Sequence, residues 1–451
     1  MSNDAATVFG TDGSRPLTSA TDVAGHLEAQ ITSGALVPGD RLPSVRDAAV
    51  SLVWRPTPSL RPTADCGSGH WSSAGAVQGT QVAAAPSRRR TVQVPLPPGV
   101  VDALSGNPDP ALLPDLAPAM QATLAGRRGD YGSAMIVPEL AEAARHWLDA
   151  DQVPSESITV VSGAMDAVER VLAEHLRPGD LVGVEDPGHV PVFDVVAALG
   201  LVAVPMAIDG DGVTADALAQ VIAQGARAVI ITPRAQNPTG AAITAERAAV
   251  LSDVLDRHSD LLVIEDDHAG PIAGVDLAQL PRRDRARWAF VRSVAKSLGP
   301  DLRLAVLAGD PDTVASVESR LAAGPGWISH LLQGVVARLL LDDDTADLVE
   351  RATTSYQARR RQLIDALAAN GIEAAGASGL QVWIPVDDEQ TVADAMRDAG
   401  FALRVGSAYR RSSPPAVRVT ISSLDEAQID AIAAELVVVL GDHRPHRTRR
   451  A

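Results

Sequence analysis

Residues 293–305 read SVAKSLGPDLRLA, with Ser293 three positions before Lys296 and Arg303 seven after it. A lysine amine that can lose its proton attacks a carbonyl carbon, while a hydroxyl and a guanidinium are donors that hold a phosphate dianion. The three together suit a phosphorylated aldehyde held to the chain as an imine. Taken alone, S-x-x-K occurs by chance in many chains. Composition sharpens the reading, because Lys296 is the one lysine among 39 basic residues. Arginine replaces lysine at most surface positions, but a guanidinium stays protonated and is a poor nucleophile. The ordinary alternative, one surviving surface lysine, weakens once the neighbouring segments are read.

Four further stretches have matching chemistry. SGAMDAVERV at 162–171 follows an apolar run and opens a helical one. Its first backbone N–H groups, at Ser162, Gly163 and Ala164, make an anion site at a helix N-terminus. VEDPGHV at 184–190 carries His189, whose flat ring suits one face of a cofactor. TPRAQNPTG at 232–240 is a turn presenting Asn237, a donor for a phenolic oxygen. VIEDDHAG at 263–270 places Asp266 at the end of a buried strand, where a carboxylate keeps a pyridine nitrogen protonated and the ring an electron sink. Each piece by itself is an ordinary cap or turn. Five in this order, each closing a strand, point to one site.

The strands themselves are ITVVSG (158–163), LVGVED (181–186), LVAVPM (201–206), AVIITP (228–233), LLVIEDD (261–267), AFVRS (289–293) and RLAVLAG (303–309). Amphipathic helices such as AMDAVERVLAEHL lie between them. Near-continuous apolar strands alternating with helices predict an α/β fold with a largely parallel sheet covered on both faces, and ligands at the carboxyl ends of its strands. From about residue 340, a helix and the shorter strands LQVWIPV and VRVTISS predict a small C-terminal α+β lobe.

Bulk properties narrow the function. With 451 residues, 46% hydrophobic and 21% charged, the chain reads as a soluble protein of more than one domain. The apolar runs are short, the first residues lack a basic and apolar leader, and Cys66 has no partner cysteine, so a cytoplasmic protein with no membrane contact is expected. The formal charge of -17 falls almost wholly after residue 95, which argues against nonspecific nucleic-acid binding by the body.

On these motifs, residues 100–440 resemble the class I/II aminotransferases, a family of pyridoxal 5′-phosphate proteins of fold type I. The resemblance implies that Lys296 forms the imine, Asp266 pairs with the pyridinium, and Asn237 meets the phenolic oxygen. It implies that Ser162, Gly163, Ala164, Ser293 and Arg303 hold the phosphate, and that Arg418, in VRVTISS, clamps the α-carboxylate of an amino acid. Tyr131, in GDYGSAMIVPEL, resembles the segment that reaches the partner subunit's phosphate, which implies a homodimer. His189 and His268 stand where the family usually has aromatic residues, and Ile136 and Ala305 replace glycines of its pattern. These departures put fast transamination in question.

The first segment resembles the GntR-type winged helix-turn-helix. AGHLEAQITSGALVPGDRLPSVRDAA (24–49) fits its helix–turn–helix pattern, with Arg41, Ser44 and Arg46 as DNA-contacting residues, and GTQVA (79–83) fits its wing. Such a head on an aminotransferase body is the architecture of the MocR subfamily of transcription regulators. Residues 51–78 depart from it: Pro56, Pro58 and Pro62 would break the recognition helix. Correct length with unrelated composition is what a pair of compensating frameshifts would leave. The domains expected are a head at 1–83, a linker at 84–100, a cofactor-binding domain at 101–335, a small lobe at 336–441 and a basic tail at 442–451. The first functional expectation is a MocR-like regulator that senses an amino acid or amine through a Lys296 aldimine and binds operator DNA. The second is a working aminotransferase with a vestigial head, and the third a lyase or decarboxylase on the same fold.

Overall fold

The computed structural model describes residues 96–126, 130–282 and 285–442, with Gln30, Leu36, Asp40, Leu42, Ser72–Gly75 and Gly79–Val82. Two compact units emerge, the first built mainly from Met1–Gln93 and the second from most of the chain after Val94. In the first unit Gln30 is helical, and its carbonyl accepts the Leu36 N–H at 3.1 Å. Leu36 and Leu42 are buried. Ser72–Gly75 pairs antiparallel with Gly79–Val82. The sequence reading had a strand at Gly79–Val82 but none at Ser72–Gly75, because S-S-A-G carries no alternation of apolar residues. Pairing with a neighbouring strand through backbone groups supplies what the side chains do not. Arg41, Ser44 and Arg46, most of residues 51–78, most of the expected linker and nearly all of the basic tail lie outside the described residues.

The second unit is built on an eight-stranded sheet. In chain order its strands are β1 (Ile158–Val161), β2 (Leu181–Asp186), β3 (Val202–Asp209), β4 (Gly212–Val213), β5 (Ala226–Ile231), β6 (Leu262–Asp267), β7 (Trp288–Ser293) and β8 (Ala305–Gly309). They lie side by side in the order β1-β8-β7-β6-β5-β2-β3-β4. β2, β5, β6 and β7 run parallel, as their apolar composition and helical connections predict. β8 differs, pairing antiparallel with both β7 and β1. Its connection to β7 is the short Val294–Leu304 loop, too short for the crossover that a parallel neighbour needs. One consequence matters for the site. Two antiparallel steps restore direction, so β1 ends at the same edge as β2, β5, β6 and β7, and β8 begins there. β3 was read as a near-continuous apolar strand, yet its residues are mostly exposed or half-buried because it lies next to the two-residue edge strand β4.

Helices cover the sheet, and their starts follow from sequence. Thr214, Thr244, Asp310 and Asp342 each accept a backbone N–H at the head of a helix, and Pro311 stands first in the helix that Asp310 opens. The helix α1 (Ala164–His175) directly follows β1. Beyond the 26-residue helix α2 (Asp343–Ala368), a small lobe is formed by β9 (Gln381–Pro385), β10 (Arg404–Val405) and β11 (Ala416–Thr420), in the order β9-β11-β10. The helices α3 (Glu389–Asp398) and α4 (Glu426–Asp442) pack on it around Val392, Met396, Ile429, Ile432 and Leu436, all buried. Val101–Asp102 pairs in parallel with Phe401–Ala402, so this early stretch of the second unit belongs structurally to the small lobe. No helix among the described residues is long and apolar enough to cross a membrane.

Candidate functional site

The edge where the strands end gathers the residues named from sequence. β7 closes at Ser293, whose hydroxyl oxygen accepts the Ala295 N–H at 3.2 Å and tightens the turn into Lys296. The Lys296 amine donates to the Gly106 carbonyl. Burial, and then the charge of Arg418, push this amine down to about 8, so an appreciable fraction is unprotonated near neutrality.

Asp266, on the neighbouring strand, is 3% exposed, and its Oδ1 has no hydrogen-bond partner. Burial first, and then the negative charges of Asp267 and Glu185, push its carboxyl up to about 7. The next residue behaves in the opposite way. Burial works against ionised Asp267, but Arg292 and Arg234 hold it down to about 2. Arg234 donates to Asp267 at 2.9 and 3.0 Å, Arg292 donates at 2.8 Å, and both reach Asp151. The Arg292 guanidinium also lies over the rings of Trp147 and Phe290. Two arginines against two carboxylates make a balanced network behind Asp266. Removing one member would strand a buried charge, at a cost of about 3–5 kcal/mol.

A second chain of bonds fixes Asn237. Arg418 Nη1 donates to Asn237 Oδ1 at 2.9 Å, and Asn237 Nδ2 lies 2.9 Å from His189 Nδ1. A guanidinium only donates, so the amide oxygen must face Arg418 and the amide nitrogen His189. His189 therefore accepts at Nδ1 and carries its proton on Nε2. Burial, followed by the charges of His268, Lys296 and Arg418, holds His189 down at about 3. His268 is held at about 4 by burial and Lys296, against the opposing pull of Asp267. Both imidazoles are neutral at physiological pH. The turn that carries Asn237 is anchored by Glu185, which accepts from the Thr232 N–H and hydroxyl at 2.8 Å each and from Gln236 at 3.1 Å. Gly240 closes the turn with φ +68°, where a Cβ would come within 2.9 Å of the Ser378 and Gln381 carbonyls.

Arg418 lies on β11 of the small lobe and is 2% exposed. Besides Asn237 it donates to the Leu104 carbonyl at 2.7 Å, and its guanidinium sits over the Tyr409 ring. At the far side of the site, Gly163 (φ +92°) brings the start of α1 so near Arg303 that a Cβ would stand 3.1 Å from the guanidinium. The antiparallel course of β8 makes this approach, since Arg303 precedes it at the common edge. Arg303 is exposed and has no carboxylate partner among the described residues; its one bond, to the Ser162 carbonyl, is long at 3.5 Å. The Ser162 N–H is partly diverted, donating to Asp166 at 2.9 Å.

This donor set fits pyridoxal 5′-phosphate. The orphaned buried oxygen of Asp266 suits a protonated ring nitrogen, and the glycine-lined space beside an unpaired guanidinium suits a phosphate. Tyr131 is not part of the assembly. It is 94% exposed, with its ring edge-on to Trp327, outside the pocket of this one chain. Sequence reading missed Glu185, Leu104, Gly106 and Tyr409, together with the network of Arg234, Asp267, Arg292 and Asp151. An arginine inside the apolar run AFVRS was the one available signal for that network.

Residues 98–436 match the family described as aminotransferase class I and II. The chain belongs to that family. It is 37% identical over 426 residues to the vitamin B6 salvage pathway transcriptional repressor PtsJ of Salmonella typhimurium, covering 92% of this chain and 97% of that protein. It is 27% identical to the HTH-type transcriptional regulator TauR of Rhodobacter capsulatus, over 61% of this chain and 58% of that one. Among solved structures, a multiple substrate aminotransferase from Thermococcus profundus shares the fold, with a TM-score of 0.70 at 19% identity over 77% of this chain and 92% of that one. Within its family the chain falls among the MocR-like transcription regulators, whose cofactor is pyridoxal 5′-phosphate.

Proposed function

We propose that this regulator senses an amino acid or amine at Lys296 and converts occupancy of the site into altered affinity of a homodimer for operator DNA. When bound, pyridoxal 5′-phosphate supplies an aldehyde carbon that amines join and a ring that accepts their electrons. The chain's own residues do the rest. Lys296 offers an amine whose proton is easily lost. Asp266 keeps a proton at the ring nitrogen, and Asn237 donates its second amide hydrogen to the phenolic oxygen. Ser293, Arg303 and the N–H groups of Ser162, Gly163 and Ala164 hold the phosphate. His189 and His268 would contact the bound cofactor as neutral groups, and Arg418 would bind the ligand's carboxylate. Tyr131 reaches the phosphate of the partner subunit, and this role accounts for its exposure.

The head at 1–83, with Arg41, Ser44 and Arg46, contacts DNA in this reading. The linker at 84–100 joins it to the cofactor-binding domain at 101–335, the small lobe at 336–441 and a tail at 442–451, all in the cytoplasm. Similarity over nearly the whole length of the Salmonella repressor supports vitamin B6 salvage as the pathway controlled. The observation that carries the reading is the buried, unpartnered Asp266 oxygen at the same strand edge as Lys296, Asn237 and Arg303. Purified protein given pyridoxal 5′-phosphate is expected to turn yellow, to change its visible spectrum with amino acids, and to release little 2-oxo acid. Rapid 2-oxo acid formation would favour an aminotransferase instead. Operator binding is expected to be weak, and to strengthen when a helix-forming segment replaces residues 51–71.

A further inference from the structure

Two of the site's cations, Lys296 and Arg418, are engaged by one short stretch of backbone. Lys296 donates to the Gly106 carbonyl, and Arg418 Nη2 donates to the Leu104 carbonyl at 2.7 Å. This stretch is tied to the small lobe at each end. Upstream, the Ala103 N–H donates to the Ala402 carbonyl at 3.1 Å, and the Thr420 N–H to the Ala103 carbonyl at 2.8 Å. Downstream, the Ser422 hydroxyl donates to the Asn107 carbonyl, and Asp109 pairs with Arg359 at 3.0 Å. Between these anchors, Asp102 Oδ1 accepts the N–H groups of Leu104 and Ser105, at 2.9 Å each. That side-chain turn sets the direction in which the Leu104 carbonyl points.

We propose that the Leu104 carbonyl is a built-in competitor for the ligand's carboxylate on Arg418, and that Asp102 is the positioning residue holding it there. Arg418 gives Nη1 to Asn237 and Nη2 to Leu104, and its buried Nε has no partner. A carboxylate takes a guanidinium best through two parallel N–H bonds, and here it gains them by displacing the Leu104 carbonyl. An amine without a carboxylate leaves that bond intact. The site thus separates amino acids from plain amines. It reports the difference on residues 101–107, the stretch that leads back along the chain toward the N-terminal segment. This inference rests on the sensing role proposed above.

The test uses the full chain loaded with pyridoxal 5′-phosphate and titrated with L-alanine or ethylamine, which differ by the carboxylate. Half-saturation is read from the visible spectrum. Asp102→Ala is expected to tighten L-alanine about ten- to a hundredfold relative to ethylamine, the range for one freed hydrogen bond to a charged group. Asp102→Asn, which keeps an acceptor oxygen, falls between, and Ser422→Ala shifts the ratio the same way by less. In the unmodified chain, L-alanine but not ethylamine should speed hydrogen exchange at the Leu104 and Ser105 amides. An unchanged alanine-to-ethylamine ratio in Asp102→Ala, with exchange indifferent to L-alanine, overturns the Leu104 assignment while sensing stands. A spectrum indifferent to both amines overturns sensing itself, and this inference with it.

Discussion

Asp266→Asn should make the cofactor-free protein more stable at pH 8 while weakening its hold on pyridoxal 5′-phosphate. In the fold the Asp266 carboxyl is raised from 3.8 to about 7, by burial and then by Asp267 and Glu185. Well below pH 3.8 the carboxyl is neutral whether the chain is folded or unfolded, and it costs nothing. As pH rises through 3.8 toward 7 the unfolded chain ionises and the folded one does not, so the group increasingly favours unfolding. The shift of roughly 3 units corresponds to at most about 4 kcal/mol, reached above pH 7. Asparagine removes that term but leaves a buried amide without partners, at about 1–3 kcal/mol, so a net gain of about 1–3 kcal/mol is expected. For a unit of this size, 1 kcal/mol is worth about 1.4 °C, which puts the rise in Tm at roughly 1–4 °C at pH 8, shrinking or reversing toward pH 4. Differential scanning calorimetry across that range, with and without cofactor, is the assay. The cofactor should bind the variant about thirtyfold or more weakly, through loss of a charge-assisted bond of about 2 kcal/mol. A variant that melts no higher than the parent at pH 8, or whose advantage does not vary with pH, would refute this account of Asp266.

Other outcomes follow from the same geometry. Lys296→Arg should leave the purified protein colourless with pyridoxal 5′-phosphate, whereas retained colour would remove Lys296 from the site. Because the Lys296 amine sits at about 8, well below its ordinary 10.5, covalent uptake of the cofactor should accelerate about tenfold per pH unit below pH 8 and level off above it in stopped-flow traces. Arg303→Ala should weaken pyridoxal 5′-phosphate about ten- to hundredfold while leaving affinity for unphosphorylated pyridoxal nearly unchanged, as measured by titration. Arg292→Met should lower stability by about 3–5 kcal/mol by leaving Asp267 and Asp151 to share the single guanidinium of Arg234, read from the denaturant midpoint, with the double change Arg292→Met and Asp267→Leu recovering much of the loss.

Much of this protein was legible along the chain because its signals are local. Apolar runs ended by chemistry-bearing residues announced the strands and named Lys296, Asp266, Asn237, His189, Ser162 and Gly163. A single lysine among so many arginines singled out the amine proposed to react, since guanidinium cannot do its work. Three things needed the folded chain. The reversal of β8, which brings Arg303 against Gly163, follows from a short connection and from two neighbouring strands, not from any pattern within RLAVLAG. The raised carboxyl of Asp266 and the lowered one of Asp267 belong to adjacent residues of the same type. Only the positions of Arg234, Arg292 and Glu185, each distant in sequence, tell them apart. The Leu104 carbonyl on Arg418 joins residues 314 positions apart through a backbone atom that every residue carries, so no sequence signal could mark it. Residue type sets which chemistry is available; burial and long-range charge, which exist only after folding, set which proton is held and which donor is free.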